Sequence, residues 1–542
     1  MIYRLLFLFS IYSYSQTDNL NYLSVNYNNI NTHYAFEINN LGDPLVYLTH
    51  LYSEDFTISH ILNKNRYVSE CKELKNVKGI YSSLYYEGAF NEGGVLKTDL
   101  SRPIGRNTNL IFSYDNLSSQ GFYSYQKNKY SRLYLAIDML KGTKPYSLFF
   151  SFFSINSDYQ QNGGIVDYDS SISTDLMDTK LSTANTLIKQ REIKISHQYN
   201  FDVFNILKHE FSISSFNRNY LDPSSLSLQD DTLKNFFNYF KNTISASNKY
   251  LTLGLNHMSY KTDNIANNNN PINDLFIVLK NSDYKIVQRN LKFKFSYCPI
   301  GYRKKNYQFF INLTKKNINH QYDIRLDHYD KKPNLFTVNS FDSLYPNWLN
   351  FNSINFTSIK FNTIWIPRSI FTGIRISRYV NYMFFDEMMY PNQFDESLFH
   401  IDFRIEKRWK FKHISIQSSL VAQYSDDKII SYPNILMHQY IKCNFDILDG
   451  VELSSSLNLY VFSRYYNHLY SPELDFFYLQ FSKKNKINPH TNADLLLKKD
   501  NFQIGILCDY INTIFSRKQY FVDSYILPNP TFRLSIKWSF LD

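Results

Sequence analysis

The sequence predicts an all-β fold: a transmembrane antiparallel β-barrel of the outer-membrane type, with roughly 16–18 strands. Three observations predict it. Apolar and polar residues alternate over many separate segments. Each stripe lasts roughly 8–11 residues, the length of a tilted strand crossing a bilayer, whereas soluble strands run to about 5–6. Turn-rich connections of very unequal length separate the stripes, as expected for short turns at one barrel end and long loops at the other.

The stretch FHIDFRIE shows the pattern. Phe399, Ile401, Phe403 and Ile405 alternate with His400, Asp402, Arg404 and Glu406. Successive Cβ atoms of a strand point to opposite faces, so one face is apolar and the other titratable. In a membrane barrel the odd residues meet lipid and the even ones a hydrated lumen. A soluble all-β protein, periplasmic or surface-exposed, would invert that arrangement and is the structural alternative.

Along the chain, Met1 and Arg4 precede the apolar run LLFLFSIY, and Ser13 and Ser15 precede Gln16. A charged start, an apolar centre and a small-x-small site mark residues 1–15 as a signal peptide. Residues 16–75 are irregular and polar: a plug, a periplasmic tail or the first strands. The barrel is expected over residues 76–542. Its stripes include Leu133–Met139, Leu251–Leu255, Leu291–Tyr297, Tyr322–Leu326, Ile441–Ile447 and Phe502–Cys508, closing on Phe532, Leu534, Ile536, Trp538 and Phe540. Tyr297, Tyr307, Tyr329 and Tyr379 sit near strand ends, where a girdle of aromatic residues is expected. Leu233–Tyr239 is the one helical candidate.

Composition agrees. Aromatic residues make up 18% of the 542, with 46 Tyr and 45 Phe. Mean hydropathy is −0.38, and no run approaches the roughly 20 apolar residues of a spanning helix. The net charge of +10 is spread along the chain without a dense basic block, so a nucleic-acid partner is not expected. Cys71, Cys298, Cys443 and Cys508 are scattered without metal-ligand spacing, which leaves them as buried or lipid-facing thiols.

Several runs carry a resemblance: NNLGDPLVYL at 39–48, NEGGVLKTDLSRPIGRNTNLIFSYDNLSSQGFY at 91–123, QNGGI at 161–165, LYSPELDFFYLQF at 469–481 and FRLSIKWSFLD at 532–542. They resemble the "Putative porin" family of Bacteroidota, over the full length, with Ser535 where a glycine is expected. The resemblance implies an outer-membrane barrel in a Gram-negative bacterium.

Residues that carry chemistry are sparse. GxGxxG and GxxxxGK[ST] are missing, and no histidine has a second ligand at metal spacing, so no cofactor is implied. His400 and Asp402 share a face, yet nothing identifies a nucleophile, so an enzyme is not expected. A plugged transporter is not expected either, since such barrels use about 22 strands plus a folded plug, and this chain is too short for both. The expected pore-lining residues are Arg132, Asp138, Lys292, Lys294, Asp323, Arg325, Asp327, Asp402, Arg404, Glu406, Arg533 and Lys537. Mixed charge on a hydrated wall sorts solutes by size and polarity. The expectation is a channel for passive diffusion of small polar solutes. A non-transporting barrel, acting as an anchor or as part of a surface or secretion assembly, is the alternative. The expected partners are outer-membrane lipid and the barrel-assembly machinery, which would read the C-terminal strand.

Overall fold

The computed structural model describes residues 35–39, 42–49 and 79–541, apart from 90–92, 106, 140–144, 170–171, 202–204, 224–231, 263–270, 282–288, 334–350, 486–488 and 516–518. Within the described residues, 22 antiparallel strands close into one barrel. Each barrel strand pairs with the next along the chain. The last, Thr531–Leu541, returns to the first, Tyr81–Ala89, in register from Leu534–Gly88 to Leu541–Tyr81. Closure leaves no unpaired edge, which a sheet in lipid requires because each unsatisfied backbone group there costs several kcal/mol.

The strand number corrects the expected 16–18, and it removes the strand-count ground on which a plugged transporter was not expected. Strands with weak outward stripes are hard to count from alternation. Tyr81–Ala89 turns Ser82, Leu84, Tyr86 and Gly88 outward, and Ile354–Trp365 turns out Thr357, Ile359, Phe361 and Thr363. Two apolar residues flanked by small or hydroxyl side chains do not register as a stripe. The helical candidate is also corrected: Leu233–Tyr239 lies in the strand Thr232–Ser247, paired along its length with Ile206–Leu221.

Side chains divide by parity, as FHIDFRIE predicts. Phe399 is 46% exposed, and Ile401 and Phe403 are each 39% exposed, while His400 and Glu406 are 1% and 2% exposed. Leu251, Leu253 and Leu255, and likewise Phe532, Leu534, Trp538 and Phe540, are exposed outside. Ser296, Ser358, Ser377 and Ser535 are buried inside. Two girdle tyrosines are corrected by the same rule. Tyr329 and Tyr379 face inward and pack with Phe356, Leu398 and Ile430.

The two ends differ. Where Thr531–Leu541 finishes, connections such as 449–450 and 500–501 are two residues long. At the opposite end, segments 161–184, 463–489 and 510–530 join successive barrel strands. These fold inward rather than outward. Tyr465, Tyr470, Phe521, Val522, Tyr525 and Leu527 form an apolar cluster with the wall residues Val421, Leu436, Tyr460 and Phe462.

Residues 1–15 and most of 16–75 lie outside the described residues. Of the remainder, Ala35–Asn39 pairs with Gly42–Tyr47 in a small hairpin that is not part of the barrel. Val46 and Leu48 join the lumenal cluster, and the Leu48 carbonyl accepts a hydrogen bond from Gln423 Nε2 at 2.8 Å.

Candidate functional site: a charged lumen crossed by its own loops

All of the predicted lining residues lie on the strand face turned away from the exposed apolar stripe. Arg132 and Asp115 form a buried ion pair at 2.8 Å, each side chain 2% exposed. It continues a chain of hydrogen bonds: Arg132 Nη2 donates to Ser113 Oγ at 3.2 Å, and Ser113 donates to Asp99 at 2.7 Å. Arg325 grips Asp327 with Nε and Nη2 and stacks its guanidinium 4.8 Å from the Phe310 ring centre. Arg404 pairs with Glu406 two residues along the same strand. Arg533 joins the seam of the barrel: it pairs with Asp509 on one neighbouring strand and reaches Glu87 on the other at 3.8 Å. Asp138, Lys292, Lys294, Asp323, Asp402 and Lys537 share this inward face without meeting at one point. Some of the charges thus stand in local pairs, and others in a row around the wall: Arg325, Lys360, Arg375 and Asp402 lie opposite one another on four successive strands.

One inward residue absent from those expectations has a different task. Arg218 lies on Ile206–Leu221, among the inward Ser214, Phe216 and Tyr220. Its two terminal nitrogens donate to the carbonyls of Glu473 and Pro472, at 2.7 and 2.5 Å. Those carbonyls belong to the hairpin of Leu469–Ser471 and Phe476–Tyr478, which follows the barrel strand Val451–Phe462. Around the ring, Val451–Phe462 and Ile206–Leu221 are ten strands apart one way and twelve the other. The hairpin therefore crosses the lumen from one wall to the opposite one. A guanidinium offers rigid, forked donors that stay charged, which suits it to holding two carbonyls at a distance from its own strand.

Further contacts lock the hairpin. Phe476 stacks on Phe385 with ring centres 3.9 Å apart, and Leu479 N–H donates to the Phe385 carbonyl at 3.0 Å. Lys483 pairs with Asp523 at 2.9 Å, joining this segment to 510–530. The segment 161–184 joins them through Ile165 N–H to the Ser524 carbonyl at 2.8 Å and Lys180 Nζ to Ser524 Oγ at 2.7 Å. That contact needs glycine at 164: φ is +85°, and a Cβ there would lie 2.7 Å from the Ser524 oxygen. Burial holds the His468 imidazole down at about 4, so it is neutral at neutral pH. Burial likewise pushes the Glu473 carboxyl up, against the opposing pull of Arg218.

At the mouth, a cavity of about 200 Å³ opens between the connections 426–434 and 463–489. His400 and Ser425 both line it. The serine hydroxyl donates to the Phe399 carbonyl at 3.2 Å, and the neighbouring Ser431 donates to the Tyr466 carbonyl at 2.8 Å. Both hydroxyls thus donate to main-chain carbonyls rather than to the imidazole.

The family described as "Putative porin" matches residues 8–542. No curated protein matches the chain. Solved structures of similar fold include "Copper transporter OprC", 8% identical over 85% of this chain and 80% of that one, with a TM-score of 0.64. The siderophore receptor PirA from Acinetobacter baumannii is 10% identical, covers 86% and 81%, and gives 0.64. The FrpB iron transporter from Neisseria meningitidis is 9% identical, covers 87% and 83%, and also gives 0.64. At such identities the likeness is one of fold.

Proposed function

The chain belongs to the "Putative porin" family, and from that premise we propose that it is an outer-membrane channel through which small polar solutes diffuse passively. The observation that carries this reading is the sidedness of the wall. Apolar residues such as Ile401, Leu253 and Leu534 are exposed outside, while Arg132, Asp402, Arg404 and Arg533 lie within. Inward charges are paired with one another or turned to the lumen and set a field across the path; outward, Lys or Arg would cost about 2–4 kcal/mol near the bilayer midplane. The hairpin held by Arg218 narrows the path, so passage is restricted to small solutes. Copper transport, siderophore reception and iron transport belong to the similar structures by their names, and what they share with this chain is the barrel. Trp538 and Phe540, outward on the terminal strand, are suited to contact with outer-membrane lipid and to recognition by the barrel-assembly machinery.

The crossing hairpin also favours a second reading, a non-transporting barrel that anchors a surface or secretion assembly. Conductance of the full chain in a planar bilayer separates the two. Discrete, voltage-tolerant openings are expected, and they should grow when residues 469–478 are replaced by a short flexible turn. Silence from both proteins, each shown to be folded, would overturn the channel and leave the anchor.

A further inference from the structure

We propose that the cavity at the barrel mouth binds an acidic sugar. Its lining combines three kinds of group that only such a solute satisfies together. The first is a set of tyrosines: Tyr432, Tyr465 and Tyr466. Their rings offer flat apolar surface with a polar tip, suited to the C–H face of a sugar ring. The second is cationic. Lys428, Arg464 and Lys484 line the same space, with the two ammonium groups 5.9 and 4.6 Å from the Tyr466 ring centre. Among the described residues, none of these three cations is in an ion pair. The third is a pair of fixed acceptors. Asp426 Oδ1 takes the Phe399 N–H and Asp427 Oδ1 takes the Ile429 N–H, both at 2.9 Å. Each carboxylate is thereby oriented, with its second oxygen outside those bonds.

The walls are held before any ligand arrives. Ser431 is tied to the Tyr466 carbonyl at 2.8 Å, and Asn485 Oδ1 accepts the Tyr465 N–H at 2.8 Å. Gln423 spans to the carbonyls of Pro433 and Leu48, each at 2.8 Å. Such a site loses little freedom on binding. Competing ligands each leave part of it unmatched. A neutral sugar leaves the cations without a counter-charge. An inorganic anion meets the two aspartates and ignores the rings. An apolar solute would desolvate five charged side chains at a cost nothing repays. A uronic acid presents its carboxylate to the cations, its hydroxyls to Asp426 and Asp427, and its ring face to tyrosine. A cavity of about 200 Å³ exceeds the roughly 150 Å³ that accommodates a benzene ring, so it has room for one such ring or a chain end.

The site deepens the channel reading by naming a solute class, and rests on that reading only for passage; binding stands on the residues themselves. Calorimetric titration of the full chain in detergent tests it, with D-glucuronate, D-glucose and inorganic phosphate as probes. Folding of every variant is checked by the heat-dependent shift in gel migration. Glucuronate should bind saturably and at least about tenfold more tightly than either comparator. Lys484→Gln should weaken it about three- to tenfold, and added salt should weaken it in the wild type as the cations are screened. Absence of saturable glucuronate binding to the folded protein would overturn the site. Glucose or phosphate binding equally well, or Lys484→Gln and Lys428→Gln both leaving affinity unchanged, would overturn the acidic-sugar assignment. Bilayer conductance is a separate readout: a silent channel that binds glucuronate sinks passage alone, and a conducting one that binds none sinks the site alone.

Discussion

At the residue scale, what a side chain does is decided first by parity and then by partner. Parity was legible. The lining residues read from alternation all fall on the inward face, and the two girdle tyrosines that turned inward could have been placed by the same rule: Tyr329 shares the parity of Asp327 and Arg325, and Tyr379 that of Arg375 and Ser377. Partners were not legible, because a strand's neighbour depends on register. Arg132 was visible as an inward charge; that Asp115 meets it follows only from pairing of Asn128–Met139 with Thr108–Ser119, which sets Asp115 opposite Arg132. The pair makes a quantitative prediction. Asp115→Ala leaves a buried guanidinium without its counter-charge and should cost about 3–5 kcal/mol of stability in detergent-solubilised unfolding. Replacing both members, Asp115→Leu with Arg132→Met, should recover most of that loss, since an apolar pair of similar volume carries no desolvation debt. A double variant as unstable as the single would show that the pair contributes something beyond mutual neutralisation.

At the scale of elements, the barrel strands were readable and the loops were not. Long connections were visible as turn-rich sequence, but nothing in LYSPELDFFYLQF says that it crosses a lumen. The decisive contact, Arg218 to the carbonyls of Pro472 and Glu473, joins residues more than 250 positions apart and uses backbone acceptors that every sequence has. Arg218→Ala removes the anchor while leaving the barrel hydrogen bonds of its strand intact. It should raise single-channel conductance and open-state noise in planar bilayers, and hydrogen exchange should quicken in 469–478 but not in Val451–Phe462. Unchanged exchange in the hairpin would show that the Phe385–Phe476 contact and the other loop contacts hold it without Arg218. The same loop carries an acid response. His468 has its folded-state value lowered from 6.5 to about 4, so the neutral form is favoured in the folded loop. Loop packing is therefore undisturbed above about pH 6.5, and is progressively lost as pH falls from there toward 4. Exchange in 463–485 should quicken across that window, and His468→Gln should flatten the change.

For the whole molecule, closure and sidedness are one property. The alternating stripe tells a strand which way to face only after the sheet has closed, because an open sheet of the same sequence would have two faces and two edges to satisfy in lipid. Sequence carried the alternation strongly enough to give the class of fold. It under-counted the strands where outward residues are small or hydroxylated, since lipid tolerates Thr and Gly while a hydrophobic stripe does not reveal them. The strand Pro391–Lys410 supplies a test of sidedness that leaves the rest of the barrel untouched. Ile401 and Asp402 are adjacent near its middle, paired across to Ile376 and Arg375 on one side and to Tyr424 and Gln423 on the other. If the apolar face meets lipid, Ile401→Lys should destabilise the folded barrel by about 2–4 kcal/mol in bilayer refolding titrations, and less in a micelle, whose thin apolar layer lets the ammonium reach water. Asp402→Asn, one residue away on the inner face, should cost well under half as much. Ile401 and Asp402 thus separate by face alone, at the same depth, on the same strand and with the same hydrogen-bonded neighbours. Equal costs would mean that the exposed apolar band is not what the bilayer holds.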